Sequence, residues 1–80
     1  MNNPINMIRK EKGLTWAQFS MLAGVSTQTL HRIESGNLKV ITPAVLDTVE
    51  KWGYDRHQIE SDYQTWKIKR VNELRKQLEV

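Results

Sequence analysis

Cysteine is absent from this 80-residue chain, and proline occurs twice and glycine four times. Without cysteine there is neither a disulfide framework nor a thiolate metal site, so the fold must stand on packing, and a reducing compartment suits it. No apolar run approaches the length of a membrane span, and the opening MNNPINMIRK lacks the apolar core of a signal peptide. A soluble cytoplasmic protein without membrane association is expected. The glycines fall singly rather than in a phosphate-cradling run, and neither a nucleophile elbow nor a carboxylate dyad is present, which argues against an enzyme. His31 and Glu34 share a helix face, but no third ligand stands at a sensible spacing, so no metal site is expected. The same reading expects no cofactor and no small-molecule ligand.

What remains is a small helical protein. Eighty residues make one domain, small enough that the core must be well packed. Asn3-Pro4 is a cap followed by proline at the first helical position, and Ile5 and Ile8 give that helix an inward face up to Gly13. Thr15 and Gln18 form a capping box, so a second helix begins at Trp16. In Ala23-Gly24-Val25-Ser26, Gly24 suits the left-handed residue past a helix end and Ser26 is an N-cap for the next helix. Phe19, Ala23, Val25, Leu30 and Ile33 are spaced to meet in one core, the requirement for two helices folded around a short turn. Residues 36 to 41 read as a loop. Thr42-Pro43 repeats the cap-plus-proline signal, and Val45, Leu46, Val49 and Trp52 recur at helical spacing until Gly53. Asp55 with Gln58 opens the last helix, on which Ile59, Tyr63 and Trp66 form one inward stripe.

Beyond Trp66 the pattern changes. Ile68, Val71, Leu74 and Leu78 lie on a face rotated from that stripe, and one straight helix cannot bury both sets against a single surface. The expected organisation is a domain over residues 1 to 66 and a basic amphipathic extension over 67 to 80. Two readings of the extension stand: a helix-helix seam with a second copy or another protein, or a solvated terminus.

Net charge is +3 and the isoelectric point about 9.5, which permits nucleic-acid binding without requiring it. The distribution carries more. Arg9, Lys10, Lys12, Arg32 and Lys39 dominate the first half, Asp47, Glu50, Asp55, Glu60 and Asp62 the middle, and Lys67, Lys69, Arg70, Arg75 and Lys76 the tail. A basic head, an acidic back and a basic tail follow. On the second helix of the turn motif, the face not needed for the core carries Thr27, Gln28, His31 and Arg32. In a helix lying in the major groove, its N-terminal residues come nearest the base edges, which singles out Ser26, Thr27, Gln28 and Thr29, with Arg32 one turn on. Gln28 can pair with adenine N6 and N7, Thr offers a hydroxyl or a methyl, and Arg32 can fork onto guanine.

The runs IRKEKGLT, FSMLAGVSTQTLHRIESG and LDTVEKWGYD resemble the lambda-repressor/Cro type of helix-turn-helix domain across residues 5 to 59. The resemblance implies an all-α, compact five-helix domain with the helix-turn-helix at helices 2 and 3, here carrying an extended C-terminal helix. It implies a sequence-specific transcriptional regulator, of the small phage or mobile-element repressor kind, that binds double-stranded DNA, often as a homodimer. It places Arg9 and Glu34 as a structural ion pair and Lys39 on the phosphate backbone, with Lys10, Lys12 and Asn37 as further phosphate candidates. Where the family usually carries a phosphate-anchoring Gln, this chain has Trp16, whose indole donates one hydrogen bond. Trp16, Met21 and Leu22, with Ile68, Val71, Leu74 and Leu78, define the alternative: an antirepressor-type protein that sequesters another regulator through apolar surface. For Trp16 and Leu22 the competing reading is packing on a neighbouring helix.

Overall fold

The computed structural model describes residues 2–79. Five helices follow one another: α1 (Pro4–Glu11), α2 (Trp16–Ala23), α3 (Thr27–Ser35), α4 (Pro43–Lys51) and α5 (Arg56–Glu79), with no strand among the described residues. Side-chain caps set four of the five helix starts. Asn3 Oδ1 accepts from the backbone of Ile5 and Asn6, Thr15 and Gln18 close their reciprocal box, and Ser26 Oγ accepts from Thr29 N. Thr42 departs from expectation, since its side chain makes no cap hydrogen bond. Pro43 at the first position, with φ already fixed near the helical value, starts α4 without it. At α5, Asp55 Oδ1 accepts from the backbone of His57 and Gln58.

The core is one cluster drawn from all five helices. Ile5, Phe19, Leu30, Ile33, Val45, Val49 and Tyr63 are fully enclosed, and Ile41 from the loop joins them. Phe19 packs against Trp52 with ring centroids 5.4 Å apart, which ties α2 to the end of α4. Ile59, Tyr63 and Trp66 close the core from α5. The helix then runs unbroken through the expected boundary at residues 66 and 67, and from Ile68 onward every described side chain is exposed.

Gly36 shows how closely α5 approaches the reading motif. It ends α3 at φ 84°, and a Cβ there would lie 2.9 Å from Trp66 Cζ3. That ring cannot retreat freely, because it is buried and stacks on Tyr63 at 6.0 Å. Gly24 has a similar φ of 69° but open space around it. Gly24→Ala should therefore lose only the left-handed backbone term, about 1–2 kcal/mol, and Gly36→Ala should lose more because Trp66 must also move. Urea unfolding of both variants checks the order, and equal losses would contradict the packing argument.

Candidate nucleic-acid interface

α3 lies between a buried and an open face. Leu30 and Ile33 point into the core, whereas Thr27, Gln28, His31 and Arg32 are exposed. Ser26 serves mainly its helix: its hydroxyl caps Thr29 N and also meets Thr29 Oγ1 at 2.9 Å. Thr29 is half-buried with its hydroxyl turned to that cap, so the open surface of the first turn is made by Thr27 and Gln28.

The far end of α3 is held by a polar stripe on α1 that recurs every third residue. Asn3 Nδ2 donates to the carbonyls of Ile33 and Glu34 at 3.0 and 3.3 Å. Asn6 Nδ2 donates to Glu34 Oε1, and Arg9 Nε to both carboxylate oxygens, the nearer at 3.1 Å. Arg9 Nη1 also donates to Leu14 O at 2.9 Å, tying the turn before α2 into the same network. The Arg9 and Glu34 side chains are only 14 % and 6 % exposed, so their charges are directed at each other rather than at a ligand.

Trp16 packs as well as projects. Its ring meets that of His31 at 3.8 Å between centroids, and the Arg9 guanidinium sits 5.2 Å from its centre. Leu22 contradicts the packing reading: it is 60 % exposed and Met21 81 %, because both stand on the outer face of α2 while Phe19 and Ala23 take the inner one. Leu14 and Gln18 complete a shallow apolar cleft with them.

The loop after α3 is fixed by a row on α5. Tyr63 Oη and Lys67 Nζ both donate to Leu38 O at 2.7 Å, Gln64 Nε2 donates to Lys39 O at 2.7 Å, and Glu60 Oε2 accepts from Ile41 N. The loop backbone is thus held from behind while Asn37 and Lys39 remain exposed. Lys10 is exposed at the end of α1; Lys12 instead places its ammonium 5.9 Å from the ring centres of Trp52 and Tyr54. The reach of Asn3 to the end of α3, Asn6, Gln64 and the contact of Lys67 with Leu38 were not singled out from sequence. The polar spacing on α1 carried the signal for the first two; carbonyl acceptors leave no trace in a sequence.

A polar helix face standing clear of the core, entered through a glycine turn and braced from behind, is the form of a groove-reading element. Among families of known proteins, Helix-turn-helix matches residues 5–51. The chain belongs to the lambda-repressor type of helix-turn-helix proteins. The match runs from the first turn of α1 through α4 and ends before α5. No curated protein and no solved structure matched the chain. Helix-turn-helix proteins of this type are DNA-binding regulators. No helix among the described residues is long and apolar enough to cross a membrane, and no group of three or more His, Cys, Asp or Glu among them is placed to hold a metal.

Two outcomes test the bracing. Arg9→Ala and Glu34→Ala should each destabilise by more than about 1 kcal/mol and be non-additive together, whereas Arg75→Ala should stay within about 0.5 kcal/mol. Denaturant midpoints of the singles and the double decide this, and additive losses would separate the two residues. The second outcome concerns pH. Burial raises the Tyr63 phenol above its ordinary 10.0, and the Glu60 carboxylate adds to the effect. Between those two values the unfolded chain binds fewer protons than the folded one, so this stabilisation is complete below pH 10 and lost as pH rises through the folded value. Tyr63→Phe should unfold with a flatter alkaline dependence than the wild type, with Lys67 common to both.

Proposed function

We propose that this protein is a sequence-specific regulator that reads the major groove with α3 and represses by occupying its operator. The observation that carries the reading is the exposed row Thr27, Gln28 and Arg32 on a helix whose other face is locked into the core. Gln28 is suited to adenine and Arg32 to guanine, and Thr27 offers a methyl or hydroxyl to thymine. Ser26 and Thr29 contribute through the cap, which holds the first turn in shape. Lys39 and Asn37, on a loop whose carbonyls are already bonded to α5, meet phosphates, with Lys10 as a further contact. Trp16 takes the anchoring position at the start of α2 with one indole donor and an apolar face. This is binding rather than catalysis, and it places the protein where duplex DNA is accessible, the cytoplasm being the natural setting. Two copies on a two-fold operator would read half-sites about 34 Å apart.

A second reading, capture of another regulator in the manner of an antirepressor, is favoured by Met21 and Leu22. A DNA-only protein has no need of this open apolar cleft on the outer face of α2.

Selection of a preferred duplex followed by binding isotherms at several salt concentrations separates these readings. Gln28→Ala should lose about 1–3 kcal/mol on the selected duplex and relax preference at one base pair. Lys39→Ala should weaken all duplexes alike and flatten the salt slope. If no duplex binds more tightly than bulk DNA, or if folded Gln28→Ala and Arg32→Ala bind the selected site unchanged, the DNA-reading proposal fails. In that case Leu22→Glu abolishing a regulator complex would identify the second reading.

A further inference from the structure

Many of the charged groups behind the reading face are already engaged. Arg56 bridges Asp47 and Glu50, and Lys67 holds the Leu38 carbonyl. The last turns of α5 differ. At 3.6 residues per turn, Val71, Leu74 and Leu78 continue a stripe that begins at Lys67, with Arg70 on one border and Arg75 on the other. All three apolar residues are exposed, Leu78 to 87 %, and no salt bridge among the described residues involves either arginine. Shallow clefts flank Val71. One lies between the stripe and the end of α3 at Ser35 and Asn37, the other beside Ile68 and Arg75.

We infer that this stripe is a docking surface for an acidic amphipathic helix of another protein rather than a seam with a second copy. The argument rests on charge. If two such helices pair in parallel, Val71, Leu74 and Leu78 alternate at the a and d positions, which puts Arg70 at g and Arg75 at e. A g residue faces the e residue five positions later on the other helix, so both crossings set arginine against arginine. An antiparallel pair relieves that clash but sets Arg70 beside Gln77 and Arg75 beside Ile68 of the second copy, with no carboxylate on either border. Two heptads of seam are too short to override unrelieved charge. An acidic helix supplies both borders with carboxylates and covers the apolar stripe in one step. The receiving helix is already formed and anchored through Tyr63, Trp66 and Lys67, so only the partner has to be ordered. Pairing of copies on an operator then uses some surface other than the tail.

The test uses the full chain and two synthetic amphipathic helical peptides with leucine at a and d, one with glutamate and one with lysine at e and g. The protein alone should sediment as a monomer at micromolar concentration. It should bind the glutamate peptide at least about tenfold more tightly than the lysine peptide, with affinity falling as salt rises. Leu74→Glu and Arg70→Glu should each reduce that affinity by about tenfold or more. Leu74 is exposed, so its variant should keep the wild-type circular dichroism and unfolding midpoint. The Arg70 guanidinium lies 5.7 Å from the centre of the Trp66 ring, so Arg70→Glu should keep the circular dichroism while its midpoint falls slightly. Arg75→Glu should weaken the peptide complex and promote self-association, because it sets a carboxylate opposite Arg70 of a second copy. A wild-type dimer that Leu74→Glu dissolves would identify the second copy as the occupant and overturn the inference. Equal affinity for the two peptides would overturn it too, and so would arginine variants that change duplex binding while leaving the peptide complex intact.

Discussion

The Glu34 carboxylate is the point on which the reading helix is hung. It is nearly buried at the end of α3, and α1 surrounds it with an amide from Asn6 and the Nε of Arg9, while Asn3 holds the adjoining backbone carbonyls. A buried carboxylate is tolerable only with its lone pairs satisfied, so these donors are a condition of placing α3 where it is. Because Arg9 also holds Leu14, the network fixes the approach to α2 as well. Both helices of the turn motif are therefore referred to one helix, α1.

The loop beyond α3 is organised in the same way from the opposite side. Four α5 residues spaced three and four apart, Glu60, Tyr63, Gln64 and Lys67, satisfy backbone groups of Leu38, Lys39 and Ile41. If this loop meets phosphates as proposed, a backbone ordered in advance favours binding, since less conformational freedom is lost. Close packing of Trp66 at Gly36 joins the two supports, one for the helix and one for the loop, at the residue that separates them.

Local signals in the sequence were readable because their partners lie three or four residues away. The caps at Asn3, Thr15, Ser26 and Asp55 and the inward rows through Ile33, Val49 and Tyr63 are of this kind. The open face at Thr27, Gln28, His31 and Arg32 follows from the same periodicity by subtraction. The resemblance supplied the pairing of Arg9 with Glu34, which spacing alone does not. What could not be read were contacts across some thirty residues onto main-chain carbonyls, as in Asn3 to Ile33 and Lys67 to Leu38. Every residue carries a carbonyl, so the acceptor has no signature. Thr42 and Leu22 show the other limit: a cap motif remains unused where proline suffices, and an apolar residue remains outside where its helix has only one face to bury.

α5 extends about 36 Å at 1.5 Å per residue, most of the molecule's 42 Å length. It contains neither glycine nor proline from Arg56 to Glu79, hence no built-in hinge. The stretch that grips Leu38 and Lys39 and the stretch that bears Val71 and Leu74 are two parts of a single stiff rod. No glycine or proline joint separates the two, so the loop beside α3 is mechanically continuous with the outer turns of α5.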